Sequence, residues 1–303
     1  MTRMTIQKQA AFYFRRILTR ISPKLNTRVL YYSKFGRRLD LEHPVTLNEK
    51  NLWLKFNTYW NNPLVKQCAD KYLVRDYVKS VGYEELLNRL IAVYQQPEEL
   101  DFQSLPSRFV LKLNIGCGFN HIVTDKTKEN REGLIRIMRT WLKESKTFYL
   151  NYSEMQYKSV KPVFLVEEFL GDENGSLPED YKFYCINGNC EMIMICEGRN
   201  MEGHNAKYFY MDRSWKMITN GIGDPNYIIN KPDCLDEAIK YAEALSKPFP
   251  YVRVDLYIVS NKIYFGELTF SPSAGMDVDH KLKPFGQDED IDHIYGRKLV
   301  LPV

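Results

Sequence analysis

The chain has 303 residues, of which 44% are hydrophobic, and a formal net charge of +4 at pH 7. That composition suits two domains or one elaborate domain and excludes a disordered or low-complexity chain. No apolar run approaches the ~20 residues of a membrane span, and Arg15 and Arg16 interrupt the early apolar residues, so neither a spanning helix nor a secretory signal is expected.

The charge is unevenly placed. Residues 1–38 hold ten Lys or Arg and no acid, so the remaining 32 bases face all 38 acids. A basic arm on an acidic body predicts an anionic partner surface, either a membrane face or an acidic polymer. Phe12, Phe14, Ile17, Leu18 and Ile21 give the arm an apolar side at helical spacing. Two readings fit this side: peripheral attachment at the inner face of a membrane, and an amphipathic helix packed on the body. No nucleic-acid reader motif follows, so nucleic acid is not an expected partner. The six cysteines form no CxxC pair and no zinc spacing, as expected of reduced thiols in a cytoplasmic protein.

Residues 1–35 read as helical, and 36–48 as a loop containing Pro44. Thr46 with Glu49 has the capping-box spacing and opens a helix running to about residue 59. A continuous helix is expected over 63–81, stopped by Gly82. Strands at 90–94 and 109–114 follow, then Gly116-Cys117-Gly118 and a strand at 121–124. Such a loop can aim backbone N–H groups at phosphate oxygens, with Lys112 adding charge, although a GxG hairpin alone is more often just a turn. Next come a helix at 128–146, a buried strand at 163–170, and strands at 181–186, 191–196 and 207–211, the first two joined by Asn187-Gly188. A helix at 236–246 leads into a hairpin, and the chain after Met276 reads as polar and irregular.

The hairpin, residues 251–276, carries the chemistry. Val252, Val254, Leu256 and Ile258 alternate with Arg253, Asp255 and Tyr257. If the loop is Ser260-Asn261-Lys262, Asp255 lies across from Glu267, with Cβ atoms ~5 Å apart. Two carboxylates that close need a cation between them, and Mg²⁺ shared with phosphates is the natural one. Thr269, Ser271 and Arg253 extend the polar face. A two-residue loop would shift the pairing and put the acids on opposite faces. The competing reading is an exposed hairpin whose acids face water.

The stretches HPVTLNEKNLWLK, DKYLVRDYVKSVG, FVLKLNIGCGFN, VEEFLGD, EDYKFYCINGN and VRVDLYIVSNKIYFGELTFSPSAG, spread over about residues 36–276, resemble the TupA-like (teichuronopeptide biosynthesis type) ATP-grasp amidoligases. The resemblance implies an α+β ATP-grasp fold with ATP held between two lobes. It divides the chain into a basic helical extension (1–60), an N-terminal α/β part (61–108), a small lobe with the glycine loop (109–165) and a C-terminal lobe with the metal site (166–303). By resemblance, Lys71 and Lys112 meet the phosphates and Gly116, Cys117 and Gly118 close over them. Glu167, Glu168 and Leu170 form the adenine hinge, partly through the backbone of Glu168 and Leu170, and Asp180 sits near the ribose. Asp255 and Glu267 hold Mg²⁺, with Thr269 standing where Asn is common. Arg253 and Lys207 lie on the γ-phosphate side, and Lys182 or Arg199 places the acceptor carboxylate.

The implied reaction is ATP- and Mg²⁺-dependent amide formation through an acyl phosphate, joining an amino acid or amine to a uronic acid of a bacterial surface polysaccharide. Three rivals remain: a phosphotransferase on a glycan, a metal-dependent glycosyltransferase using Asp277-Val278-Asp279, and a non-catalytic scaffold.

Overall fold

Two antiparallel sheets position the functional residues. The smaller has the order β1 (Leu90–Tyr94), β4 (Phe164–Glu168), β2 (Phe109–Leu113), β3 (Asn120–Val123). The larger runs β10 (Lys262–Thr269), β9 (Tyr251–Val259), β5 (Glu179–Ile186), β6 (Asn189–Glu197), β7 (Lys207–Met211), β8 (Met217–Asn220). The structure is a computed structural model and describes residues 6–171, 177–198 and 207–302.

Each sheet has its own core. In the smaller, Phe109, Leu111, Leu113, Phe164 and Val166 pack on Leu134, Met138 and Trp141 of α6 (Arg131–Ser145). In the larger, Phe183, Val252, Val254 and Leu256 pack on Ala238, Ile239, Ala242 and Leu245 of α8 (Leu235–Ser246). The inward residues alternate along β9 and recur at helical spacing in α8, so burial of one face fixes both elements. The expected domain breaks at 109 and 166 cut the small sheet, because its strand β1 lies before the first and its strand β4 spans the second. Val65, Cys68, Val74 and Val78, from α4 (Pro63–Ala69) and α5 (Val74–Ser80), join the larger core instead.

The helices depart from expectation where a local cap overrides periodicity. The N-terminal helix divides into α1 (Ile6–Ile21) and α2 (Pro23–Phe35), where the Ser22 hydroxyl accepts from the Leu25 N–H and Pro23 cannot donate. The helix expected over 63–81 breaks at Asp70, which is extended and whose carboxylate accepts from the N–H groups of Tyr72 and Leu73 at 2.8 and 3.2 Å. The Thr46–Glu49 capping box does form and opens α3 (Leu47–Leu54). After α6, a short α7 (Phe148–Asn151) supports the glycine loop. The region beyond Met276, read as irregular, contains α9 (Ile291–Lys298), capped by Asp290 accepting from the His293 N–H at 2.9 Å. Strand β8 was likewise not expected. Among the described residues no helix is long and apolar enough to cross a membrane.

Candidate active site

The β9–β10 hairpin turns through two residues, not three. Ser260 and Asn261 both have positive φ, 50° and 62°, and Val259 pairs with Lys262. This is the turn that should have separated the two acids. A β-bulge at Gly266 restores them: Phe265 pairs with Leu256, then Glu267 pairs with Asp255. The extra residue reverses the side-chain alternation, so Phe265 stays on the core side while Glu267 moves to the side of Asp255. Glycine is needed there because a Cβ would stand 2.8 Å from the Asp255 carbonyl oxygen.

The bulge completes two rows across three strands. Lys182 of β5, Asp255 of β9 and Glu267 of β10 form one, and Tyr184, Arg253 and Thr269 form the next. Residues two apart on a strand share a face, so both rows point the same way. Lys182 Nζ donates to Asp255 Oδ2 at 2.7 Å and also bonds Asp180. Arg253 donates to both oxygens of Asp255 at 2.7 Å, and its Nη2 reaches Thr269 Oγ1 at 3.3 Å. Burial pushes the Asp255 carboxyl up, and Arg253 and Lys182 pull against that shift. Burial also opposes the charge on Glu267, but Lys71, Arg253 and Lys182 together outweigh it and hold that carboxyl at about 2.

The smaller sheet, together with Lys71 and Arg75 from the α4–α5 segment, supplies the facing wall. The break at Asp70 lets the Lys71 N–H donate to the Asn114 carbonyl at 3.0 Å, with Asn114 Nδ2 bonded to Asp70 Oδ2 at 2.7 Å. Lys71 Nζ then bonds the Gly116 carbonyl and lies 3.6 Å from Glu267. Gly116 and Gly118 have φ of 60° and 80°, and a Cβ on Gly116 would enter the Phe148 ring. Lys112 Nζ donates to Glu167 at 2.6 Å, and Arg75 lies 3.7 Å from the other oxygen of that carboxylate.

Between the walls is a cleft of ≈ 490 Å³, within the ~300–1,000 Å³ range of ligand sites. Lys71, Lys112, Gly116, Cys117, Gly118, Glu167, Asp180, Lys182, Arg253, Asp255 and Glu267 all line it. Thr269 is tied to it through Arg253 and Glu267. The remaining expected residues stand elsewhere. Lys207 is exposed, with its ammonium over the Tyr227 ring. Glu168 and Leu170 are outside the lining, and both backbone groups of Glu168 are taken, the N–H by the Arg89 carbonyl and the carbonyl by Asn88. Arg199 lies outside the described residues.

Sequence reading did not assign Arg75, Tyr184 or Tyr257 to this cleft. Strand alternation could have found Tyr184 and Tyr257, each two residues from an assigned side chain; nothing local marks Arg75. Asp277 and Asp279 line the cleft as well. Each has a local role: Asp277 Oδ1 accepts from the Asp279 N–H at 3.1 Å, and Asp279 accepts from the Tyr210 hydroxyl at 3.0 Å.

The acids suit a divalent cation that takes hard oxygen ligands. Asp255 and Glu267 are directly opposed on adjacent strands, and Glu267 is held in its charged form. Two carboxylates are offered here, and among the described residues no group of three or more His, Cys, Asp or Glu converges. Mg²⁺ is commonly held in this way, with phosphates and water supplying the rest.

A family model described as TupA-like ATPgrasp matches residues 49–295. No curated protein matches the chain. Among solved structures, a D-alanine–D-alanine ligase from Bacillus anthracis is 19% identical, covering 70% of this chain and 59% of its own, with a TM-score of 0.42. An L-amino acid ligase from Bacillus licheniformis is 14% identical over 78% of this chain and 50% of its own, with a TM-score of 0.44. The ATP-grasp ligase PsnB, complexed with a phosphomimetic precursor variant, Mg and ADP, is 14% identical over 72% and 58%, with a TM-score of 0.40. The chain thus spans less than two thirds of the length of these structures.

Proposed function

We propose, since the chain belongs to the TupA-like ATP-grasp family, that it is an ATP- and Mg²⁺-dependent carboxylate–amine ligase whose acceptor is a uronic acid of a bacterial surface polysaccharide. The observation that carries this reading is the Lys182–Asp255–Glu267 row, which faces Lys71 and Lys112 across one cleft. Phosphoryl transfer asks for positioning and charge neutralisation more than for a covalent nucleophile, and this inventory matches that demand.

Lys112 and Lys71 would meet the phosphates, and the backbone of Gly116 to Gly118 would cover them. Lys71 would exchange its bond to the Gly116 carbonyl for a phosphate oxygen. Asp255 and Glu267 would hold Mg²⁺, which when bound neutralises phosphate oxygens and fixes their geometry. Arg253, anchored by Asp255, would face the γ-phosphate, and Lys182 would orient the acceptor carboxylate. A carboxylate oxygen attacks the γ-phosphorus, the bond to ADP breaks, and an acyl phosphate forms. The amine nitrogen then attacks the acyl carbon, phosphate leaves, and the nitrogen loses a proton to give the amide. Closure of the glycine loop keeps water from the acyl phosphate.

The test is product analysis by mass spectrometry after incubating the chain with ATP, Mg²⁺, a panel of uronic acid glycans and amino acids. ADP, phosphate and a glycan carrying an added aminoacyl amide are expected. A phosphorylated glycan with no amide would replace the ligase reading with a phosphotransferase. Consumption of a sugar nucleotide instead of ATP would assign the chemistry to Asp277 and Asp279.

A further inference from the structure

The N-terminal helices have two unlike faces. One side of α1 is docked: Thr19 Oγ1 donates to the Leu150 carbonyl at 2.7 Å, Arg16 Nε donates to Asn151 at 2.8 Å, and Phe12 meets Tyr152 edge to face. The opposite side exposes Phe14, Ile17 and Ile21, the last at 71%. Helix α2 repeats the division. Asn26, Thr27 and Tyr31 are buried, while Leu25, Val29 and Tyr32, spaced four and three apart on the other face, are exposed. Ile21 from the first stripe and Leu25 from the second lie on either side of the break at Ser22.

Helices α1 and α2 carry basic residues and no acid. Arg20, Lys24, Arg28 and Arg38 are exposed and make no ion pair among the described residues. Arg28 and Arg38 bound a shallow depression of ≈ 480 Å³ whose floor is Val29, Tyr32 and Leu39. Packing on the body therefore accounts for one face of the arm only. A second copy of the chain is a poor occupant for the other, since an isologous contact would set the same cations against each other.

We propose that the exposed α1–α2 face docks on a bilayer containing anionic lipids. The apolar stripe would enter the boundary between headgroups and acyl chains, and Arg28 and Arg38 would bracket a lipid phosphate over Val29, Tyr32 and Leu39. Both halves of the surface are needed: the apolar residues bury area, and the cations select negative headgroups. The inference does not depend on the chemistry of the cleft.

Flotation of the full chain with vesicles tests it. Binding is expected to a phosphatidylglycerol–phosphatidylcholine mixture, not to phosphatidylcholine alone, and to weaken as salt rises. The substitution Ile21→Glu is expected to abolish flotation. The double substitution Arg28→Ala with Arg38→Ala should lower the partition coefficient about fivefold per arginine. Thermal melting of both variants should match the wild type, because the altered side chains are exposed. Absence of flotation with anionic vesicles, equal flotation with neutral ones, or equal flotation of wild type and both variants would overturn the proposal. So would a wild-type dimer that Ile21→Glu dissociates, which would assign the face to a second copy.

Discussion

On the larger sheet, Lys182, Asp255 and Glu267 stand side by side on three hydrogen-bonded strands. On the facing wall, the charges depend on a helix break at Asp70 and a loop with two left-handed glycines. The strand wall is pre-organised: Asp255 already accepts from Arg253 and Lys182. The loop wall is held by exchangeable contacts, Lys71 to the Gly116 carbonyl and Lys112 to Glu167. In a phosphoryl-transfer site this division is useful. Groups that face the reacting phosphate gain from rigidity, and those that cover the nucleotide must open for it.

The largest effect should come from the strand wall. Glu267→Gln keeps the shape and removes the charge, and is expected to lower ATP-dependent product formation at least ~100-fold, on the scale of losing one preorganised electrostatic partner. The melting transition should persist. Turnover close to wild type would remove the metal role from this row and with it the contrast between the walls.

On the loop wall, Lys112→Ala should weaken ATP binding about tenfold or more, as expected for a charged hydrogen bond of ~1.5–3 kcal/mol, with little change in melting temperature. Calorimetric titration with ATP and Mg²⁺ measures it. Unchanged affinity would remove Lys112 from the phosphate site.

Two glycine substitutions sharpen the comparison. Gly266→Ala puts a Cβ 2.8 Å from the Asp255 carbonyl, against backbone that cannot easily give way. It should cost ~1–3 kcal/mol of stability, as overpacking does, and misplace Glu267. Gly118→Ala meets nothing within 4 Å, so its cost is that of placing alanine at φ 80°. Chemical denaturation should rank Gly266→Ala as the more damaging; the reverse order would mean that the bulge does not fix the register.

The smallest effect is in pH. The Glu267 carboxyl is held at about 2, below its ordinary 4.5. On acidification the unfolded chain takes up this proton first. The stabilisation is therefore complete above about pH 4.5 and is lost as pH falls toward 2. Glu267→Gln should flatten that part of the stability curve, and an identical acid profile in the variant would show that Glu267 does not feel its three cations.

Elements whose signal is local were legible in the sequence. Strands β1 and β7 have the expected bounds, the Thr46 cap is present, and α8 follows its apolar spacing. Helix α9 escaped notice because Ile291 and Tyr295 are the large apolar side chains it buries, and it begins at the end of an acidic stretch. Asp255 and Glu267 pair across the strands as expected, but not through the expected three-residue turn, which the chain does not make. A two-residue turn and a one-residue bulge have the same combined effect on parity, and composition cannot tell them apart.

By itself, then, the sequence determined which strands carry the charged side chains and which face of each is apolar, because alternation and capping act between near neighbours. Tertiary structure alone decided that Gly266 bulges, that Asp70 breaks a helix to deliver Lys71, and that Arg75 joins Lys112 at Glu167. Each depends on contacts between residues distant in the chain: a carbonyl on the neighbouring strand, an asparagine on the opposite lobe, a carboxylate more than ninety positions away.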